Sequence, residues 1–113
     1  QLVGINPNDG IKYPDDNFEN MVKRAEEKGY NFPYLRDEDQ SIAKKYQAQC
    51  TPDIYVYNKE RELCYHGQID DNWQHPEKVT SHDLSDAIEA LLGGGKPSPD
   101  QYPSMGCSIK WKE

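Results

Sequence analysis

Cys50-Thr51-Pro52-Asp53-Ile54-Tyr55-Val56-Tyr57 opens on a Thr-Pro pair and passes into alternating aliphatic and aromatic residues, the pattern of a half-buried strand. The polar cluster Asn58-Lys59-Glu60-Arg61-Glu62 turns the chain, and Leu63-Cys64-Tyr65-His66 runs back, so this stretch reads as a β-hairpin. A turn centred on Glu60 would set Asp53 opposite Gly67 and Cys64 opposite Val56 in mid-strand. A thiol in that place is expected to be buried and inert. The same register brings Ile69-Asp70-Asp71-Asn72-Trp73 out beside Pro52.

Upstream, Leu2-Val3-Gly4-Ile5 reads as a short strand ended by the turn residues Asn6-Pro7-Asn8-Asp9-Gly10. Asp16, three residues before Glu19, has the spacing of a capping box. Phe18, Met21, Val22 and Ala25 share one helical face, and Gly29 supplies the stop. Phe32-Pro33-Tyr34-Leu35 is a second short strand, and Asp37 or Asp39 caps a brief helix from Ser41 to Ala48. Downstream, a helix beginning at Thr80 or Ser81 sets Leu84, Ala87, Ile88 and Leu91 on one face and ends at Gly93-Gly94-Gly95. Pro97, Pro99 and Pro103 then exclude regular structure until Ser104. The expected organisation is one domain over residues 1–92 and a Pro/Gly-rich tail over 93–113.

A chain of 113 residues with 35% hydrophobic and 29% charged residues and a mean hydropathy of −1.05 has little apolar surface from which to build a core. The net charge of −7 argues against a nucleic-acid partner, which requires clustered Lys and Arg. No apolar run approaches the length of a membrane span. The chain starts on an apolar strand without Met and shows no leader, so it is expected to be part of something longer. Cys50, Cys64 and Cys107 are odd in number and form no Cys-x-x-Cys, so neither a closed disulfide framework nor a zinc ribbon is indicated and the compartment stays open. His66, His75 and His82 with Cys64 complete no tetrahedral set, so no metal and no cofactor is expected. The eight tyrosines recur at strand and helix-face positions and are expected to pack rather than to bind a ligand.

Five words of the sequence extend this reading: Val3-Gly4-Ile5-Asn6-Pro7-Asn8-Asp9, Phe32-Pro33-Tyr34-Leu35, Cys50-Thr51-Pro52-Asp53, Ile69-Asp70-Asp71-Asn72-Trp73 and Pro103-Ser104-Met105-Gly106-Cys107-Ser108-Ile109-Lys110-Trp111. Together and in this order they resemble the redoxin-type thioredoxin-family proteins related to the alkyl hydroperoxide reductase/thiol-specific antioxidant group. The resemblance covers essentially the whole chain. It implies an α/β, thioredoxin-like three-layer fold that is incomplete at its N-terminal strand–helix unit, where the family keeps its reactive cysteine. It also implies a cis peptide before Pro52, beside the thiol site. In such a fold the absent first strand lies between Leu2–Ile5 and the strand after Pro52. Each backbone group left unsatisfied there would cost roughly 1–3 kcal/mol, so a missing N-terminal segment, an exchanged strand from another copy of the chain or a rearranged sheet is expected to close the gap.

The resemblance makes Thr51 and Pro52 the wall of a substrate groove, with Asp70, Asp71 and Trp73 at its border. Cys50 and Cys107 are candidate resolving thiols, which would attack a sulfenic acid or disulfide on the absent cysteine. Plainer alternatives stand beside each assignment. Cys50 would serve as a small, part-buried residue, Cys107 as a terminal cysteine with no partner, and Asp70-Asp71-Asn72 as an Asx-type turn on which Trp73 packs. The expected function is part of a thiol-disulfide or peroxide oxidoreductase, inactive alone, acting on a thiol, disulfide or peroxide substrate. The alternatives are a non-catalytic thioredoxin-like binding module, which would hold extended peptide in the same groove, or a truncated structural fragment.

Overall fold

The computed structural model describes residues 1–112 and is a mixed α/β structure with three α-helices, two short 3-10 turns and three two-stranded β-ladders among those residues. It divides into two compact units, Gln1–Ala48 together with the chain from Ile109, and Gln49–Ser108. No helix among the described residues is long and apolar enough to cross a membrane.

In the first unit, β1 (Gly4–Asn6) runs parallel to β2 (Tyr34–Arg36) with Ile5 facing Leu35. The crossover between them is α1 (Phe18–Lys28), the connection that parallel strands require. Its N-cap is Asn17, whose side chain accepts from Asn20 N at 2.9 Å. The expected box on Asp16 does not form, because a 3-10 turn over Pro14–Asp16 moves the helix start on by one residue. The Asp16 carboxylate instead accepts from Asn8 Nδ2 at 3.0 Å. Gly29, at φ 63°, closes the helix in the left-handed conformation that favours glycine. Of the expected apolar face only Met21 is buried, while Phe18 and Val22 are exposed.

The second helix, α2 (Ser41–Lys45), is shorter than the sequence suggests, since Gln47 at φ 58° cannot continue it. Both expected capping residues act. Asp39 accepts from Ser41 N at 3.0 Å, and Asp37 accepts from Ile42 N and Ala43 N at 3.2 and 2.8 Å. Between them sits Gln40, 2% exposed, and its carboxamide ties three pieces of chain together. Nε2 donates to Pro7 O at 2.7 Å and to Lys110 O at 3.0 Å, and Oε1 accepts from Lys112 N at 2.9 Å. Ile109 is buried as well and joins this unit's core.

The second unit is built on the hairpin of β4 (Ile54–Tyr57) and β5 (Leu63–Gly67), with α3 (Asp83–Leu92) against β5. Gly67 faces Ile54, so the expected register is one residue out. The cause is local. Arg61 N donates to Asn58 O, Arg61 takes φ 63°, and Asn58 N donates to Glu62 O, which is a turn followed by a bulge. The register shifts between Val56 and Tyr57, leaving Cys64 without a facing partner. Tyr65 takes the buried place opposite Val56, and Cys64 is only half-buried, contrary to expectation.

Helix α3 starts later than Thr80 or Ser81 because those residues are held by Asp71. Ala87 is buried, and Ile88 of the same expected face is exposed. The last ladder joins β3 (Cys50–Thr51) antiparallel to β6 (Cys107–Ser108), inside the segment expected to be a tail.

Candidate functional site

The second unit gathers most of the chemistry-bearing residues. The Thr51–Pro52 peptide is cis, as the sequence suggests, and Pro52 stands between β3 and β4. Pro52, Asp70, Asp71 and Trp73 line one shallow depression together with Gln68, Ile69, Ser104 and Met105. Four of the five residues expected to form a groove thus meet. Thr51 lies beside them in β3, facing Cys107 of β6. A wider hollow nearby is lined by Ile69, Asp70, His82, Leu84, Ser85, Ile88 and Glu89, and shares Ile69 and Asp70 with the depression.

The acidic pair holds its loop as well as lining the depression. Asp70 Oδ1 accepts from Asn72 N at 3.0 Å, an Asx-turn, and Asn72 Oδ1 in turn accepts from His75 N at 3.0 Å. Asp71 accepts from Thr80 N at 2.8 Å, from Ser81 N at 3.1 Å and from the Thr80 hydroxyl. That hydroxyl, more than the two backbone donors, pulls the Asp71 carboxyl down to about 2, so the group is charged throughout the neutral range.

The thiols are placed unequally. Cys50 is half-buried with Sγ 3.6 Å from Ser104 O and 3.8 Å from Pro52 O, against two residues that line the depression. Burial first, and the charge of Asp53 second, push its thiol up, which disfavours the thiolate that would react. Cys107 is exposed and faces Thr51, while Cys50 faces Ser108. Neighbouring residues of a strand project to opposite faces, so Cys50 and Cys107 stand on opposite sides of this ladder, and all three cysteines are free. Among the described residues no group of three or more His, Cys, Asp and Glu is placed to hold a metal ion.

A cluster beside Cys50 escaped the sequence reading. Asp53, with a side chain 8% exposed, lies 2.9 Å from His66 Nε2 and accepts from the Tyr55 hydroxyl at 3.1 Å. The Tyr55 and His66 rings stack, with centroids 4.1 Å apart and planes at 13°. Burial, then the Asp53 charge and hydrogen bond, push the Tyr55 phenol up. The signal was present in the sequence: Asp53 and Tyr55 alternate onto one face, and His66 on the returning strand faces Tyr55 once the bulge is counted.

No protein-family model matches the chain, and no curated protein matches it. The solved structures that match it include two that do so over nearly all of its length. A hypothetical protein from Sinorhizobium meliloti 1021 is 45% identical, with a TM-score of 0.90 over 97% of this chain and 61% of that one. An uncharacterized conserved protein from Geobacillus kaustophilus is 50% identical, with a TM-score of 0.90 over 97% of this chain and 59% of that one. The chain is similar to both and spans about three fifths of the length of each.

Proposed function

We propose that the chain is the proline-groove portion of a thioredoxin-like thiol-disulfide or peroxide oxidoreductase, a three-layer α/β protein whose first strand and reactive-cysteine helix are supplied by residues outside these 113. One observation carries the reading: Pro52, Asp70, Asp71 and Trp73, from separate segments, line one depression with the Cys50 thiol against two of its lining residues. The five sequence words and the order of strands and helices support it further. The supplied thiolate would attack a peroxide O–O bond, forming a sulfenic acid and releasing water or an alcohol. Cys50 or Cys107 would then condense with that sulfenic acid to a disulfide, releasing water. Pro52 and the Thr51 backbone would shape the groove.

The same reading puts another strand beside β1, from the upstream segment or from a second copy. It is supported by the apolar exposure of Leu2, Val3 and Ile5, by β2 being the one ladder partner of β1 among the described residues, and by the greater length of both solved relatives.

A non-catalytic module that binds extended peptide is the second reading, favoured by the upward-shifted Cys50 thiol. The test measures insulin-disulfide and peroxide reduction by the 113-residue chain and by the chain extended with its upstream residues. Turnover by the extended protein alone, lost when its helix-start cysteine becomes serine, is the expected result. An extended protein with no thiol-dependent turnover would leave the binding module, and turnover by the 113 residues alone would refute the division of labour.

A further inference from the structure

Residues 101–108, within the segment expected to be a Pro/Gly-rich tail, are fastened along the hairpin edge. The Gln101 carboxamide pairs with β5 as a neighbouring strand would, Oε1 accepting from His66 N at 3.2 Å and Nε2 donating to Cys64 O at 2.9 Å. Gln68 N donates to Tyr102 O at 3.0 Å, and Ser104 Oγ donates to Gly67 O at 2.6 Å. Cys107 and Ser108 then complete the ladder with Thr51 and Cys50.

Two glycines permit this approach. A Cβ on Gly67 would collide with the Tyr102 carbonyl oxygen. One on Gly106 would collide with the Thr51 carbonyl oxygen and lie 3.0 Å from its carbon and 3.4 Å from Pro52 Cδ. The segment is therefore seated on the backbone beside Pro52, and its Ser104 and Met105 form part of the depression wall. Its attachment is by hydrogen bonds. Tyr102 is 59% and Met105 63% exposed, so little apolar surface holds it down.

We propose that residues 101–108 are a displaceable strap that covers the Thr51 edge beside Pro52 in cis, so that the same segment of a second copy of this chain gains that edge only when the strap leaves. The occupant that replaces it needs glycine where Gly106 stands, because the Thr51 carbonyl leaves no room for a Cβ. The strap regulates the site of the proposed function and rests on that reading of the depression as a groove. Its test uses binding and melting, so a longer polypeptide without redox turnover would leave it standing.

The probe is a fluorescein-labelled synthetic peptide of residues 101–110, titrated by anisotropy into the full 113-residue chain, into Gly106→Val and into the double variant Gln101→Ala/Ser104→Ala. Gly106→Val displaces the strap by collision, and the double variant loosens it without one by removing its three side-chain hydrogen bonds to β5. Both are expected to keep the helical circular dichroism and a cooperative melt, and to bind the peptide at least tenfold more tightly than the unaltered chain. The same peptide with valine at its Gly106 position is expected not to bind. Equal affinity for all three proteins would overturn the proposal. So would loss of the cooperative melt in both variants, which would make the strap a fixed part of the unit's core.

Discussion

Oδ1 of Asp53 lies 2.9 Å from Nε2 of His66 across the hairpin, while its other oxygen accepts from the Tyr55 hydroxyl at 3.1 Å. A carboxylate so enclosed exerts its field on its neighbours through little water, and Cys50 is one of them. Burial is the larger cause of the upward shift at Cys50, so removing the charge relieves only part of it. We expect Asp53→Asn, which still accepts from Tyr55, to speed alkylation of Cys50 at pH 8 by roughly two- to fivefold. In the unaltered chain, timed iodoacetamide labelling with mass mapping should modify exposed Cys107 first and Cys50 last. An unchanged Cys50 rate in the variant would show that the Asp53 charge does not reach the thiol.

Asp71 titrates low because its charged form is hydrogen-bonded to Thr80 and Ser81. Its folded-state value, about 2, lies below the roughly 3.9 of an unfolded chain, so the stabilisation is complete above about pH 4 and disappears as pH falls toward 2. Carboxyl NMR should place the Asp71 midpoint near 2. Thr80→Ala removes the leading donor and should move that midpoint upward. A midpoint near 4 in the unaltered chain would mean that the loop between β5 and α3 is not held this way.

Arg61 occupies the left-handed region at φ 63° in the hairpin turn, a conformation that a side chain disfavours and glycine accepts. Arg61→Gly is expected to stabilise the chain by about 1 kcal/mol. The midpoint of a thermal melt should then rise by roughly 4–8 °C. A fall would indicate that the Arg61 side chain contributes more than its backbone costs.

Gln40 is buried with its carboxamide bound to Pro7, Lys110 and Lys112. Alanine there would leave the Pro7 carbonyl and the Lys112 amide without this partner, while the Lys110 carbonyl keeps its bond from Asp9 N at 2.8 Å, at roughly 1–3 kcal/mol for each group that water cannot reach. We expect Gln40→Ala to lower stability by about 3 kcal/mol in urea and to accelerate hydrogen exchange at Lys112 N. A loss under ~0.5 kcal/mol would show that water replaces the carboxamide.

Features encoded within a few residues were legible in the sequence: the alternation of Ile54 to Tyr57 and its polar turn, the Gly29 stop, and the Asp37 and Asp39 caps each depend on neighbours one turn away. The meeting of Pro52 with Asp70, Asp71 and Trp73 was legible too, because a hairpin returns its far end to its start whatever its exact register. The register itself was decided by the folded turn. A left-handed Arg61 and a bulge at Cys64 exchanged the expected buried thiol for Tyr65. The Gln40 clasp and the strap over residues 101–108 join positions far apart in the chain and use side-chain amides and the absence of a Cβ, which have no periodicity. Sequence patterns report on local geometry and on apolar faces. Which polar group satisfies which distant backbone atom was settled only when tertiary packing excluded water from it.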